Sequence, residues 1–166
     1  MPMSEHLQSI RKKVGHDLLV LPSVAVAVLD EYGRLLVGRH AQKNLWVPPG
    51  GIVEAGELPA DAAIRETWEE MGVLVKLNAL LGVYGGEELV IEYSNGDRTS
   101  YVNVLFSGRI IGGQLREDGE EILDVRYFTQ EELTSSPHPR WMDTAMKSIF
   151  SQDGPAHFQP STWSPA

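Results

Sequence analysis

The chain has 166 residues, 42% of them hydrophobic and 22% charged, the composition of an ordinary globular domain long enough to bury a core. Its 14 Lys and Arg against 23 Asp and Glu give a formal charge of −9, which disfavours a non-specific grip on duplex nucleic acid. The absence of cysteine excludes disulfides, thiolate metal sites and cysteine nucleophiles. It is compatible with a reducing cytosol, and a cytoplasmic location is the expectation. No apolar run reaches the ~18 residues of a membrane span, and no secretory signal pattern opens the chain.

In chain order, Ser4 to Lys13 reads as a short amphipathic helix, with Arg11, Lys12 and Lys13 as a solvated basic face. Val24 to Leu29 alternates Val and Ala and reads as a buried strand. The turn residues Asp30 to Gly33 then predict a hairpin with Arg34 to Val37. Trp46-Val47-Pro48-Pro49-Gly50-Gly51 stops regular structure and suits a turn that presents a backbone carbonyl.

Pro59 to Met71 reads as a helix, opened by Pro59 and stopped by Gly72. Val73 to Val83, Leu89 to Tyr93, Tyr101 to Ile111 and Leu123 to Phe128 read as strands, with Asn95-Gly96 as a hairpin turn. Gln130 to Leu133 and Trp141 to Phe150 complete the helices, and 151–166 is expected to be a loosely ordered tail. The organisation is therefore one domain over 1–150. Strands and helices mix without strict alternation, which predicts an α+β fold with helices packed on a mixed sheet.

The charge is concentrated. Residues 51–73 hold six acids against one base, Arg65. On a helix, Glu66, Glu69 and Glu70 lie within roughly 100° of one another. Ile64, Thr67, Trp68 and Met71 fall on the opposite, core-facing side. Like charges three and four residues apart weaken a helix, and anions near its C-terminus oppose the macrodipole. A bound divalent cation would explain the arrangement, since hard cations take carboxylate oxygens.

The spacing Gly51, Glu57, Arg65-Glu66, Glu69-Glu70, Gly72 resembles the Nudix box of the Nudix hydrolase superfamily, with Thr67 standing where an aliphatic or small residue is usual. The resemblance covers residues 51–73 and implies an α/β/α Nudix fold. It implies metal-dependent hydrolysis of a pyrophosphate bond in a nucleoside diphosphate linked to another group, by attack of water on phosphorus, with Mg²⁺ or Mn²⁺ as cofactor. By position Glu66, Glu69, Glu70 and Glu57 and the carbonyl of Gly50 are the metal-ligand set, and Arg65 orients the carboxylates. The general base is either Glu66 or a carboxylate of the later loop, where Glu121 aligns better than Glu120.

Arg39 and Trp46 are weaker substrate-contact candidates, for a phosphate and a base respectively. The implied partner is a small nucleotide-type substrate. A homodimer, common in the superfamily, is compatible with the sequence but not required by it. The alternative reading, from another class, is a nucleotide-sensing domain of the same fold that binds without catalysis.

Overall fold

The computed structural model describes residues 5–165, with the side chain of Glu5 left aside. Helix α1 spans Glu5–Val14 and strand β1 Leu19–Val28. From Ser23 onward every residue of β1 is buried: Val24, Val26 and Val28 enter one core, Ala25 and Ala27 the other. The Val-Ala alternation thus belongs to a strand covered on both faces.

Strand β2 (Leu35–His40) also feeds both cores, through Leu35 and Val37 on one side and Leu36 on the other. Strand β3 is Trp46–Val47, and helix α2 spans Pro59–Met71. Then follow β4 (Val73–Tyr84), β5 (Val90–Glu92), β6 (Arg98–Gly113), β7 (Ile122–Phe128), α3 (Gln130–Thr134), α4 (Trp141–Ser151) and β8 (His157–Phe158).

One sheet runs β1-β6-β4-β8, with β5 also paired to β6; the other runs β3-β2-β7. β1 lies parallel to β6, and β4 antiparallel to it with three register irregularities that bend the long pair. Helix α2 adds Ala62, Ala63 and Met71 to one core; α4 adds Trp141, Met142, Ala145, Met146 and Ile149 to the other. The helices therefore cover opposite faces of the strands, as the expected mixed α+β architecture requires. No helix among the described residues is long and apolar enough to cross a membrane.

Three details differ from the sequence reading. The Asp30–Gly33 turn forms, with Gly33 N–H donating to the Asp30 carbonyl at 3.0 Å, but its arms do not make a hairpin. After a single bridge, Leu29 to Leu35, β1 joins β6 and β2 joins β7, because each finds a longer partner elsewhere in the chain. Arg11 is no solvated residue: its guanidinium donates to the Arg98 carbonyl (2.8 Å) and Thr99 Oγ1 (3.0 Å), docking α1 on the start of β6. Within the segment after Ser151, β8 pairs parallel with β4 at Gly82 and Val83, and the His157 ring stacks on Tyr84.

Candidate active site

Helix α2 begins at Pro59, whose missing N–H costs nothing in the first turn. It ends at Gly72 with φ 69°, in the left-handed region. A Cβ at Gly72 would meet the Gln114 carbonyl at 2.6 Å, so glycine is required twice over. Thr67 is fully buried and its hydroxyl donates to the Ala63 carbonyl (2.7 Å), so its departure from the usual residue type is a matter of packing.

The carboxylate face is not an open one. Glu66 and Glu70 are 7% and 5% exposed, whereas Trp68, expected on the core side, is 46% exposed with its ring near Gly113 at the end of β6. The cover over the glutamates is the segment Pro48–Val53. It lies along the free edge of β1: Val26 N–H donates to the Pro49 carbonyl and Val24 N–H to that of Gly51, both at 2.9 Å. A Cβ on Gly50 would stand 2.1 Å from the Val24 carbonyl oxygen, and one on Gly51 2.4 Å from the Glu66 carboxylate. The two glycines let the loop pass between β1 and α2.

Under this loop, Gly50 N–H donates to Glu70 Oε2 at 2.9 Å. Burial holds the Glu70 proton well above the usual carboxylate range. The Gly50 hydrogen bond opposes the shift, and repulsion from Glu66, Glu121 and Asp118 adds to it. Burial raises the Glu66 carboxyl too, against its contact with Arg65.

Arg65 is the hub of the remaining acids. Its Nε and Nη2 donate to Glu57 (2.8 and 2.9 Å), and its Nη1 to Glu66 Oε1 (2.8 Å) and Glu69 Oε2 (3.0 Å). Nη2 also reaches the Ile52 carbonyl at 3.2 Å. Glu57 in turn accepts from Glu54 N–H at 3.0 Å, and the fork geometry holds its carboxyl below the usual range. Arg65 engages Glu66 and Glu69, and no three acid or histidine side chains among the described residues stand gathered around one point as metal ligands.

The later loop closes on the same place. Asp118 Oδ1 accepts from the N–H groups of Glu120, Glu121 and Ile122, each at 2.9 Å. That turn leaves Glu120 exposed and sets Glu121 beside His40, Oε1 3.9 Å from Nε2. The charge of Glu121 is felt at Glu66 and Glu70. Asp118 and His40 were not singled out from the sequence, although Asp-Gly before two acids is a turn-forming signal.

Of the two weaker candidates, Trp46 packs on Phe128 (centroids 4.8 Å apart) and lies under Arg126. Its ring is thus engaged by the protein. Arg39 pairs across from Trp46, and its Nε is buried with no hydrogen-bond partner among the described residues.

Residues 20–150 match the model of the NUDIX domain. A MutT-like protein of Streptomyces ambofaciens is 47% identical over 62 residues, 37% of this chain and 40% of that protein. A putative 8-oxo-dGTP diphosphatase of Bacillus subtilis is 34% identical over 65% of this chain and 66% of its own length. The matches thus span between two fifths and two thirds of these relatives. Among solved structures, a UDP-X diphosphatase superposes with a TM-score of 0.64 at 22% identity, over 90% of this chain and 70% of that one. A NUDIX hydrolase from Nitrosomonas europaea gives 0.66 at 22% identity over 80% and 89%. A strand-flanked helix whose two buried glutamates lie beneath a Pro-Pro-Gly-Gly loop, and a domain model matching most of the chain, lead to one conclusion: this chain belongs to the NUDIX family.

Proposed function

We propose that the protein hydrolyses a pyrophosphate bond in a nucleoside diphosphate joined to a further group, with a divalent cation, Mg²⁺ or Mn²⁺, held at α2. The observation that carries the reading is the burial of Glu66 and Glu70 together, with Glu121 and Asp118 adding to the negative field on Glu70. Four acids so placed cost free energy in the protein alone, and a hard cation offsets that cost. The donor set fits it. Glu66, Glu69 and Glu70 supply oxygens. The Gly50 carbonyl, from the residue whose N–H already meets Glu70, is the further oxygen we include in the set. The Glu66 and Glu69 oxygens that Arg65 now engages are the ones a cation would draw on.

When bound, the cation neutralises phosphate oxygens and lowers the pKa of a coordinated water. The protein's own part is positional. Gly50 N–H fixes one Glu70 oxygen and leaves the other to ligate. Arg65 fixes Glu57, Glu66 and Glu69 relative to one another. Glu121, a third exposed, is the group we assign as the base that takes the proton of the attacking water. Glu66 is shut beneath the loop and engaged by Arg65, whereas a base must reach water. An acidic chain can accept a polyanion here because the bound cation inverts the local charge.

The names of the relatives, an 8-oxo-dGTP diphosphatase and, in Methanocaldococcus jannaschii, an ADP-ribose pyrophosphatase, support phosphoanhydride substrates and differ in the group attached. The test is a product screen over nucleoside triphosphates, nucleoside diphosphate sugars and dinucleoside polyphosphates, with Mg²⁺, Mn²⁺ or EDTA. Metal-dependent cleavage of one class supports the reading. Nucleotide binding without any product would place the protein with non-catalytic sensors.

A further inference from the structure

The loop between β2 and β3 carries a lysine that lies over Tyr93 and within electrostatic reach of Glu121. The loop is tightly held. His40 N–H donates to the Leu45 carbonyl (2.9 Å), Asn44 N–H to that of His40 (2.8 Å), and Ala41 N–H to that of Glu121 (2.8 Å). Asn44 adopts φ 52°, a left-handed turn that this residue type tolerates. The loop is thus a hydrogen-bonded turn tied to the candidate base's own backbone, just before β7.

Lys43, from its tip, is half-buried. Its Nζ stands 5.2 Å from the centre of the Tyr93 ring, a cation–π distance. Tyr93 is itself fixed, its hydroxyl 2.5 Å from that of Tyr101. Burial lowers the lysine's pKa while the charge of Glu121 opposes the shift, and the lysine in turn acts on His40. Lys43 therefore belongs electrostatically to the group formed by His40 and Glu121. Among the described residues it makes no hydrogen bond and no ion pair within 4.0 Å. A partly desolvated ammonium with three donors and no acceptor gains most from an anion. Arg65, the cation on α2, already donates to three carboxylates and a carbonyl.

We propose that Lys43 is a substrate-contact residue, its ammonium donating to a phosphate oxygen of the substrate as it enters between the β2–β3 loop and the β5–β6 hairpin. The assignment rests on the phosphoanhydride reading above. It adds a specific cation, from the β2–β3 loop rather than from α2, to a site otherwise dominated by acids.

Two variants, Lys43→Met and Lys43→Arg, test it. Methionine keeps the apolar stem against Tyr93 and removes the charge; arginine restores it. Two readouts are needed: steady-state turnover of whichever substrate the screen identifies, and calorimetric binding of inorganic pyrophosphate in MgCl₂. The expected result for Lys43→Met is KM raised about 10- to 100-fold, the loss of one charge-assisted hydrogen bond, with kcat nearly unchanged. Pyrophosphate binding weakens in proportion, the melting temperature holds, and Lys43→Arg recovers most of the loss.

If the wild type turns substrate over and Lys43→Met leaves KM and pyrophosphate binding unaltered, Lys43 is only packing on Tyr93, and the proposal falls while the function stands. If the wild type cleaves nothing but binds pyrophosphate, and the methionine variant binds it more weakly, Lys43 stands and the hydrolase reading falls. A wild type that neither cleaves nor binds overturns both.

Discussion

Gly50 donates its N–H to Glu70 Oε2 across 2.9 Å, while its α-carbon lies so close to β1 that a methyl group there would stand 2.1 Å from the Val24 carbonyl oxygen. One residue thus ties the Pro-Pro-Gly-Gly loop to both the first strand and the last glutamate of α2. Gly50→Ala is expected to push the loop off β1, losing the hydrogen bonds around it. Overpacking of this kind costs about 1–3 kcal/mol. Turnover should fall more steeply than stability, because the displaced carbonyl and the freed Glu70 both belong to the proposed cation site. Melting temperature and metal-dependent turnover, measured side by side, check this; an alanine variant with wild-type activity would show that the loop has no part in the site.

Glu70→Gln separates charge from shape. The amide oxygen still accepts from Gly50, so the fold is expected to persist. The buried carboxylate, whose ionisation burial opposes, is gone, so the metal-free variant should melt at or above the wild-type temperature. Turnover should drop by at least ~100-fold, beyond the usual effect of losing a residue that merely supports a metal ligand. Thermal melts in EDTA and in MgCl₂ give the second readout: added Mg²⁺ raises the wild-type midpoint and moves the variant much less.

What could be read from the sequence here was what local chemistry encodes. Helix α2 begins and ends where Pro59 and Gly72 say it should, since both act within one turn. The Asn95-Gly96 turn lies where expected for the same reason, with Gly96 at φ 87°. What escaped depends on distant partners. The Asp30–Gly33 turn looks like a hairpin until β6 and β7 are present to compete for its arms. Helical periodicity groups Glu66, Glu69 and Glu70 correctly, but the burial of Glu66 and Glu70 comes with a loop that the helix cannot announce, and Trp68 is left beside Gly113 rather than inside. His40, Lys43 and Asp118 carry no spacing signal, because the end of β2 with the turn after it and the loop before β7 meet only in the fold.

Arg65 holds Glu57, Glu66 and Glu69 with one guanidinium, and its removal leaves Glu66 buried beside Glu69 without compensation. Losing one partner of a fully buried ion pair costs about 3–5 kcal/mol, and the partial exposure of Arg65 reduces this to about 2 kcal/mol. Arg65→Ala should therefore melt several degrees lower in EDTA. It should also gain more from Mg²⁺ than the wild type does, because the cation replaces the missing positive charge. A variant whose deficit Mg²⁺ does not touch would show that Arg65 and the metal do not share these oxygens.

A pH test lies well away from α2. His138, before α4, has Nδ1 2.8 Å from the Ser136 carbonyl and Nε2 2.9 Å from Asp143 Oδ1. Both neighbours are acceptors, and a neutral imidazole has only one N–H, so the protonated ring satisfies both. Burial opposes the charge, but the bonds to Asp143 and Ser136 outweigh it and raise the pKa above 6.5. A group raised on folding contributes stability that is complete below its unfolded pKa, near 6.5, and is lost as pH climbs through the higher folded value. The melting-temperature difference between wild type and His138→Gln should therefore be largest near pH 5.5 and shrink above neutrality. Scanning calorimetry of the two proteins from pH 5 to 9 measures it; a difference that stays flat or grows with pH would mean that the ring is neutral in the fold.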